Sequence, residues 1–284
     1  MGIFSKTVRA TLNGGAAPQS DGPGDPIVDW TTSGTARWMI DASGCLTIAP
    51  LEGKKSGELE DWHGFDKAPW HDNGSLIISA KIEGAIATST ATGMFFGCSS
   101  LKSLDLSGLD TSNVEDMSRM FEDCSSLESL DLSGLDASNA EDMSHMFEGC
   151  SSLESLDLSG LDASGAKGMS EMFKGCSRLS SLDLSGLDTS SAEDMSAMFE
   201  DCPGLRTVTL GEKFSFVNPY PYPYGEYDCC CLPWPQGESL TGKWLSSADG
   251  KAYEPEAIPD NVAATYTAQV KVDISGAVIS DIPD

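Results

Sequence analysis

The chain has little positive charge to set against its acids. Its 284 residues carry 17 Lys and Arg against 44 Asp and Glu, a formal net charge of −27. Phosphate would be repelled, which weighs against nucleic acid as a partner and against anionic membrane surfaces. Divalent cations are the electrostatically obvious small partners. Long hydrophobic runs are also missing: no stretch approaches the roughly 18 apolar residues of a membrane span. Proline is absent between Pro69 and Pro203, tryptophan between Trp70 and Trp234, and tyrosine before Tyr220. A strand ladder could therefore run through the middle of the chain uninterrupted. Histidine is scarce, and no Ser-His-Asp, Cys-His or glycine-rich phosphate constellation is present, so we expect no enzyme. The N-terminus MGIFSK has no apolar core of signal-peptide length and misses the myristoylation pattern, so no clear export signal or anchor is read from it.

What fills the middle is repetition. CSSLESLDLSGLDAS occurs at Cys124 and again at Cys150, unchanged, 26 residues apart. Met-Phe recurs at Met94, Met120, Met146, Met172 and Met198, and LxxLxL recurs from Leu101, Leu127, Leu153 and Leu179 and ends as Leu205-Val208-Leu210. A fixed period of this size means stacked supersecondary units, none of which buries its apolar face alone. LxxLDLS alternates as a half-buried strand does, GLD(T/A)S carries turn residues, and DMSxMFxxC has the three-to-four spacing of one inward helical turn. The expected fold is a leucine-rich-repeat β-solenoid with one strand and one short helical turn per 26-residue repeat, flanked by mainly β caps. Its five-strand spine would be ~20 Å long. The expected core is Met120, Phe121, Cys124, Met146, Phe147, Cys150, Met172, Phe173, Cys176, Met198, Phe199 and Cys202, with the cysteines as buried free thiols.

The expected boundaries are a disordered segment at 1–27, an N-terminal β-rich cap at 28–92, the solenoid at 93–217, a Tyr/Pro/Cys-rich cap at 218–270, and a linker or start of a further module at 271–284. In the flanks, Asp61, His63, Asp66 and His71 are the one His/Asp-rich group, without regular metal-ligand spacing. Cys229, Cys230 and Cys231 call for a disulfide partner, with Cys45 a candidate. Tyr220, Tyr222, Tyr224 and Tyr227 are read as rings covering the open solenoid end.

Three aspartate ladders follow the repeat, opening at Asp105, Asp110 and Asp116. Stacked like charges at strand spacing need partners. For Asp110, Asp136, Asp162 and Asp188, either calcium or local Asx-turns would serve. Calcium is the one cofactor candidate. The strand face presents Lys102, Asp105, Glu128, Asp131, Glu154, Asp157 and Asp183 beside a uniform row of serines, a surface suited to multivalent contact rather than a pocket. A second set of varied positions is Arg119, His145, Glu171 and Ala197.

The run MFxxCSSLxSLDLSGLDTSNVEDMSxMFxxC, from Met94 to Leu210, resembles the BspA family of leucine-rich-repeat surface proteins found in lactobacilli, mycoplasmas and related gut or oral bacteria. The flanking TGKW…Y…IP…AATY segment is similar to that family's too. The resemblance implies a secreted or cell-surface protein without catalytic residues, whose repeats adhere to protein or glycan partners on host or microbial surfaces. A structural spacer displaying another domain, with or without calcium, is the alternative.

Overall fold

The structure is a computed structural model, and it describes residues 25–62, 67–158, 160–217 and 231–270. The segments expected at 1–27 and 271–284 fall outside it except for 25–27, as do Tyr220 to Tyr227.

The chain enters through β1 (Val28–Ser33), β2 (Ala36–Ile40) and β3 (Cys45–Pro50), then β4 (Ser56–Glu58), β5 (Ser79–Ile82) and β6 (Ala85–Ala87). The repeats contribute β7 (Ser103–Asp105), β8 (Leu109–Asp110), β9 (Ser155–Asp157) and β10 (Ser181–Leu184). The end is built from β11 (Thr207–Leu210), β12 (Leu240–Ser246), β13 (Ala252–Tyr253) and β14 (Ala264–Val270). Helix is confined to two short 3-10 segments, His71–Leu76 and Pro255–Ala257, among the described residues.

Successive turns of the solenoid touch along three parallel ladders, each paired over part of its length. One is the spine, where β3, β5 and β7 pair in parallel and, further on, β9, β10 and β11 do the same. The second joins β4, β6 and β8. The third is a row of single bridges, Asp116 to Asp142 to Gly168 to Asp194. The three aspartate series therefore mark three edges of one prism. Parallel stacking begins at β3, inside the 28–92 segment, so the ladder starts two rungs before the first full consensus copy.

The expected helical turn at DMSxMFxxC is not one. Arg119, His145, Glu171 and Ala197 adopt φ of 59°, 61°, 56° and 52°, the left-handed region that a right-handed helix cannot contain. Tight i→i−3 turns, such as Glu122 N–H to Arg119 O at 3.1 Å, alternate with bonds to the next rung. Arg119, Phe121 and Asp123 N–H donate to Ser144, Met146 and Glu148 O at 3.0, 2.9 and 2.7 Å. These lateral bonds satisfy groups that a helix would have satisfied internally. Both arrangements put Met and Phe on the same inner side.

The interior is one continuous core. Met120, Phe121, Cys124, Met146, Phe147, Cys150, Met172, Phe173 and Cys176 are fully buried, and Met198, Phe199 and Cys202 are at most 2% exposed. Phe95, Phe121, Phe147, Phe173 and Phe199 form a file of parallel rings 5.6–5.7 Å apart. Beside it the thiols of Cys124, Cys150, Cys176 and Cys202 donate to the carbonyls of Phe95, Phe121, Phe147 and Phe173 one rung back, at 3.0–3.2 Å. Burial pushes the thiols of Cys98, Cys150 and Cys202 up to about 12, and raises Cys124 and Cys176 as well.

Both ends close with a change of side chain or direction. At the start Trp70 lies against Phe95, with Trp38 and Trp62 edge-on to it at 6.1 and 6.2 Å. Trp70 and Trp62 donate from Nε1 to Met94 O and Thr92 O at 2.8 and 2.7 Å, so those two rings are buried with their donors satisfied, whereas Trp38 Nε1 is buried without a partner. At the other end β14 docks antiparallel on β11 and β12 docks antiparallel on β14, ending the parallel stack. Cys231 is disulfide-bonded. Cys45 is a free, half-buried thiol, so it is not the partner of the triplet, for which it was one candidate. Cys229 and Cys230 lie outside the described residues.

Candidate functional site: the strand face and the charged turn edge

On the spine, leucines point in, and Ser and Asp point out. Ser103, Asp105, Glu128, Ser129, Asp131, Glu154, Ser155, Asp157, Ser181, Asp183 and Lys102 are all exposed. Register places Lys81 beside Asp105, Asp157 beside Asp183, and Asp183 beside Thr209, which in turn pairs with Thr265 of β14. Thr47 of β3 stands next to Lys81. The outward column is thus Lys81, four aspartates, Thr209 and Thr265, a face ~29 Å across at strand spacing, while Thr47, at the same register, is buried. Lys81, Thr209 and Thr265 were not singled out in the sequence. The signal was present, because SAKI at 79–82 aligns with SLDL at 103–106.

Two shallow depressions lie on this face. Ser155, Asp157, Ser181, Asp183, Thr207 and Thr209 rim one, and Asp105, Ser107, Asp131 and Ser133 rim the other. Lys102 makes no ion pair among the described residues, whereas Glu154 is paired with Arg178.

Local hydrogen bonds reconcile the stacked aspartates. In each Asp-x-Ser among the described residues the carboxylate Oδ1 accepts from the Ser N–H two residues on: Asp105 from Ser107 at 3.0 Å, Asp131 from Ser133 at 2.9 Å, Asp183 from Ser185 at 2.9 Å. The same bond holds Asp110, Asp136, Asp162 and Asp188 to Ser112, Ser138, Ser164 and Ser190 at 3.0–3.1 Å. The Ser107 hydroxyl and N–H lower the Asp105 carboxyl, and the Ser133 N–H and hydroxyl lower Asp131 against the opposing charges of Asp105 and Asp157. Asp188 is held at about 2, chiefly by Lys213 at 2.7 Å and then by Ser190. Among the described residues no three of Asp110, Asp136, Asp162 and Asp188 converge as metal ligands.

A different group does converge. Along the turn edge Arg119 pairs with Glu122 at 2.7 Å, and His145 Nδ1 with Glu148 at 2.6 Å. In the next rung the polarity reverses: Lys174 pairs with Glu171 at 2.6 Å and with Glu200 at 2.9 Å. Glu171 therefore lies 3.9 Å from His145 Nδ1. His145, Glu148 and Glu171 bring their ligand atoms within 4.8 Å of one another. Burial raises the Glu122 carboxyl, with Arg119 opposing and Glu148 reinforcing the rise. In the flank, His71 stacks on Phe96 at 5.6 Å, with Nε2 2.8 Å from Lys67 Nζ, and burial followed by Lys67 lowers its pKa. Asp61 accepts from Ser89. His63 and Asp66 lie outside the described residues.

Among the described residues no helix is long and apolar enough to cross a membrane. Residues 89–209 match the model of a family described as Mycoplasma protein of unknown function, DUF285. No curated protein matches. Among solved structures, the chain is similar to a leucine rich cell surface protein from Faecalibacterium prausnitzii, at 16% identity and a TM-score of 0.32. That alignment covers 80% of this chain and 61% of the other, so the chain spans less than two thirds of that relative. It is also similar to a leucine-rich repeat protein from Eubacterium ventriosum, at 12% identity and a TM-score of 0.21, over 72% of this chain and 92% of the other. The three parallel ladders, with almost no helix, make the described fold a leucine-rich-repeat β-solenoid.

Proposed function

We propose that the chain is a non-catalytic interaction module of a bacterial surface or secreted protein, of the BspA-like kind, and that it adheres through its strand face. The observation that carries this reading is the column of four exposed aspartates flanked by Lys81 and Thr209. It offers one acceptor per rung and no enclosing pocket. An extended partner bearing donors at repeated intervals, a basic protein segment or a glycan, would meet several rungs at once, and weak contacts would sum. Lys102, Asp105, Glu128, Asp131, Glu154, Asp157 and Asp183 are the proposed contact residues. The surface location rests on the sequence resemblance, and the Faecalibacterium protein is described in the same terms.

The test is binding of the purified chain to an array of matrix proteins and glycans. The D105N/D131N/D157N/D183N variant keeps an oxygen acceptor for each Asx-turn while removing the charge. Saturable binding lost in that variant supports the reading, and binding unchanged by it refutes the site. The second reading, a spacer that displays another domain, is favoured by the identical copies at Cys124 and Cys150, which offer a partner no distinguishing feature. Silence across the array with intact folding would favour it. A fall in Tm on chelation would identify a calcium-stabilised form, with Asp110, Asp136, Asp162 and Asp188 as the ligands to mutate.

A further inference from the structure

The geometry points to a transition-metal site on the turn edge, formed by His145, Glu148 and Glu171 across two neighbouring rungs, independent of the adhesive reading of the strand face. The ligand atoms already stand close to metal spacing. Donors around a tetrahedral zinc ion are about 3.3 Å apart, from bond lengths near 2.0–2.1 Å. His145 Nδ1 is 2.6 Å from Glu148 and 3.9 Å from Glu171, so small side-chain rotations bring both to that distance. The three side chains are 19–28% exposed, sheltered but open to an incoming ion.

Charge along the edge supports the same conclusion. Four carboxylates, Glu122, Glu148, Glu171 and Glu200, meet only two fixed cations, Arg119 and Lys174. Arg119 is held by Glu122, and Lys174 is shared between Glu171 and Glu200. Two negative charges are left over: one at Glu148, whose basic neighbour is the His145 imidazole, and one shared by Glu171 and Glu200 around Lys174. The reversal of acid and base between the rungs of His145 and Glu171 creates this. Had the third rung repeated the Arg119–Glu122 order, a cation would stand where Glu171 stands. Lys174 fixes the Glu171 oxygen, as hydrogen-bonded outer groups fix ligating carboxylates.

The donor set selects the ion. One imidazole nitrogen with two carboxylates suits Zn²⁺ and its first-row neighbours, whereas calcium takes oxygen ligands in larger number. Three protein ligands leave a coordination position for water or for a donor from outside the chain.

The experiment is calorimetric titration of the whole chain with Zn²⁺ at pH 7.5, beside H145A, E171Q and the strand-face variant D105N/D131N. Ala197 already occupies the position equivalent to His145 with the same left-handed backbone, so H145A has a precedent in the fold. Matching urea curves for H145A and the parent confirm it. We expect saturable one-to-one binding, weakened about 10-fold or more in H145A and in E171Q, unchanged in D105N/D131N, and not displaced by millimolar Ca²⁺. Absence of saturable binding, H145A binding as tightly as the parent, or displacement by Ca²⁺ would each overturn the site.

Discussion

Raising the pH tests the thiol ladder, because five cysteines are carried into the core at once. Cys98, Cys124, Cys150, Cys176 and Cys202 are at most 2% exposed, and three of them are pushed from 9.0 to about 12. Below about pH 9 both folded and unfolded chains hold these protons, so the ladder's contribution is fully present. Above it the unfolded chain ionises first, and stability falls until the folded thiols titrate as well. Each such group costs about 1.4 kcal/mol per pH unit in that window. Five together give a slope of about 7 kcal/mol per unit, against a total stability of about 5–15 kcal/mol for a typical protein. The chain should therefore unfold cooperatively within about two units above pH 9, a bound set by those same magnitudes. Lysines and tyrosines also titrate there, so the informative quantity is a difference. Urea midpoints followed by Trp fluorescence from pH 8 to 11, under argon, would give the slope for the parent, C150A and C150A/C176A. Truncation to Ala lowers the whole curve by its packing cost, whereas removing a thiol flattens it by about a fifth per cysteine. A C150A slope as steep as the parent's, or labelling of the ladder thiols at pH 8 as fast as Cys45, would refute the argument.

Three further outcomes follow from the packing and the turns. Phe147→Ala removes one ring from the middle of the file and should cost about 3–5 kcal/mol in urea unfolding; a loss under 1 kcal/mol would show that the file does not hold the rungs together. Ala197→Gly relieves a left-handed alanine at φ 52° and should raise stability by about 0.5–1 kcal/mol, read as a higher Tm. Asp188 is lowered from 3.8 to about 2, so its contribution is present above pH 3.8 and lost as pH falls from there to about 2. Asp188→Asn should flatten the urea midpoint against pH in that window, and an unchanged acid limb would contradict the Lys213 and Ser190 contacts.

The period, the inward leucines and the buried cysteines were legible because every interior rung has copies of itself as neighbours, so residues in register must share an environment. The turn conformation was not. A three-to-four spacing of Met, Phe and Cys is produced equally by a helix and by successive i→i−3 turns. What separates them is the left-handed φ at Arg119, His145, Glu171 and Ala197, residue types that do not advertise it. Gly93, at the same place in the first copy with φ 57°, was the available hint. The parallel pairing of β3 and β5 with the repeats was not legible, because Thr47 and Lys81 depart from the Ser/Asp pattern while their register continues it. Arg119, His145 and Glu171 stood out as varied positions, but the approach of Glu171 to His145 depends on which rung lies on which, and only the register supplies that.

The lateral bonds carry one more consequence. Each interior rung offers the next the same carbonyl for a thiol and the same ring to stack on. The tryptophan-bearing start and the antiparallel β14 end break that pattern. A cut or an added copy of 26 residues between Cys124 and Cys176 would then rejoin matching surfaces and leave both ends unaltered. Length in such a molecule is a free variable, adjustable by whole rungs, and the unchanged fifteen residues at Cys124 and Cys150 have the form that one such adjustment would leave behind.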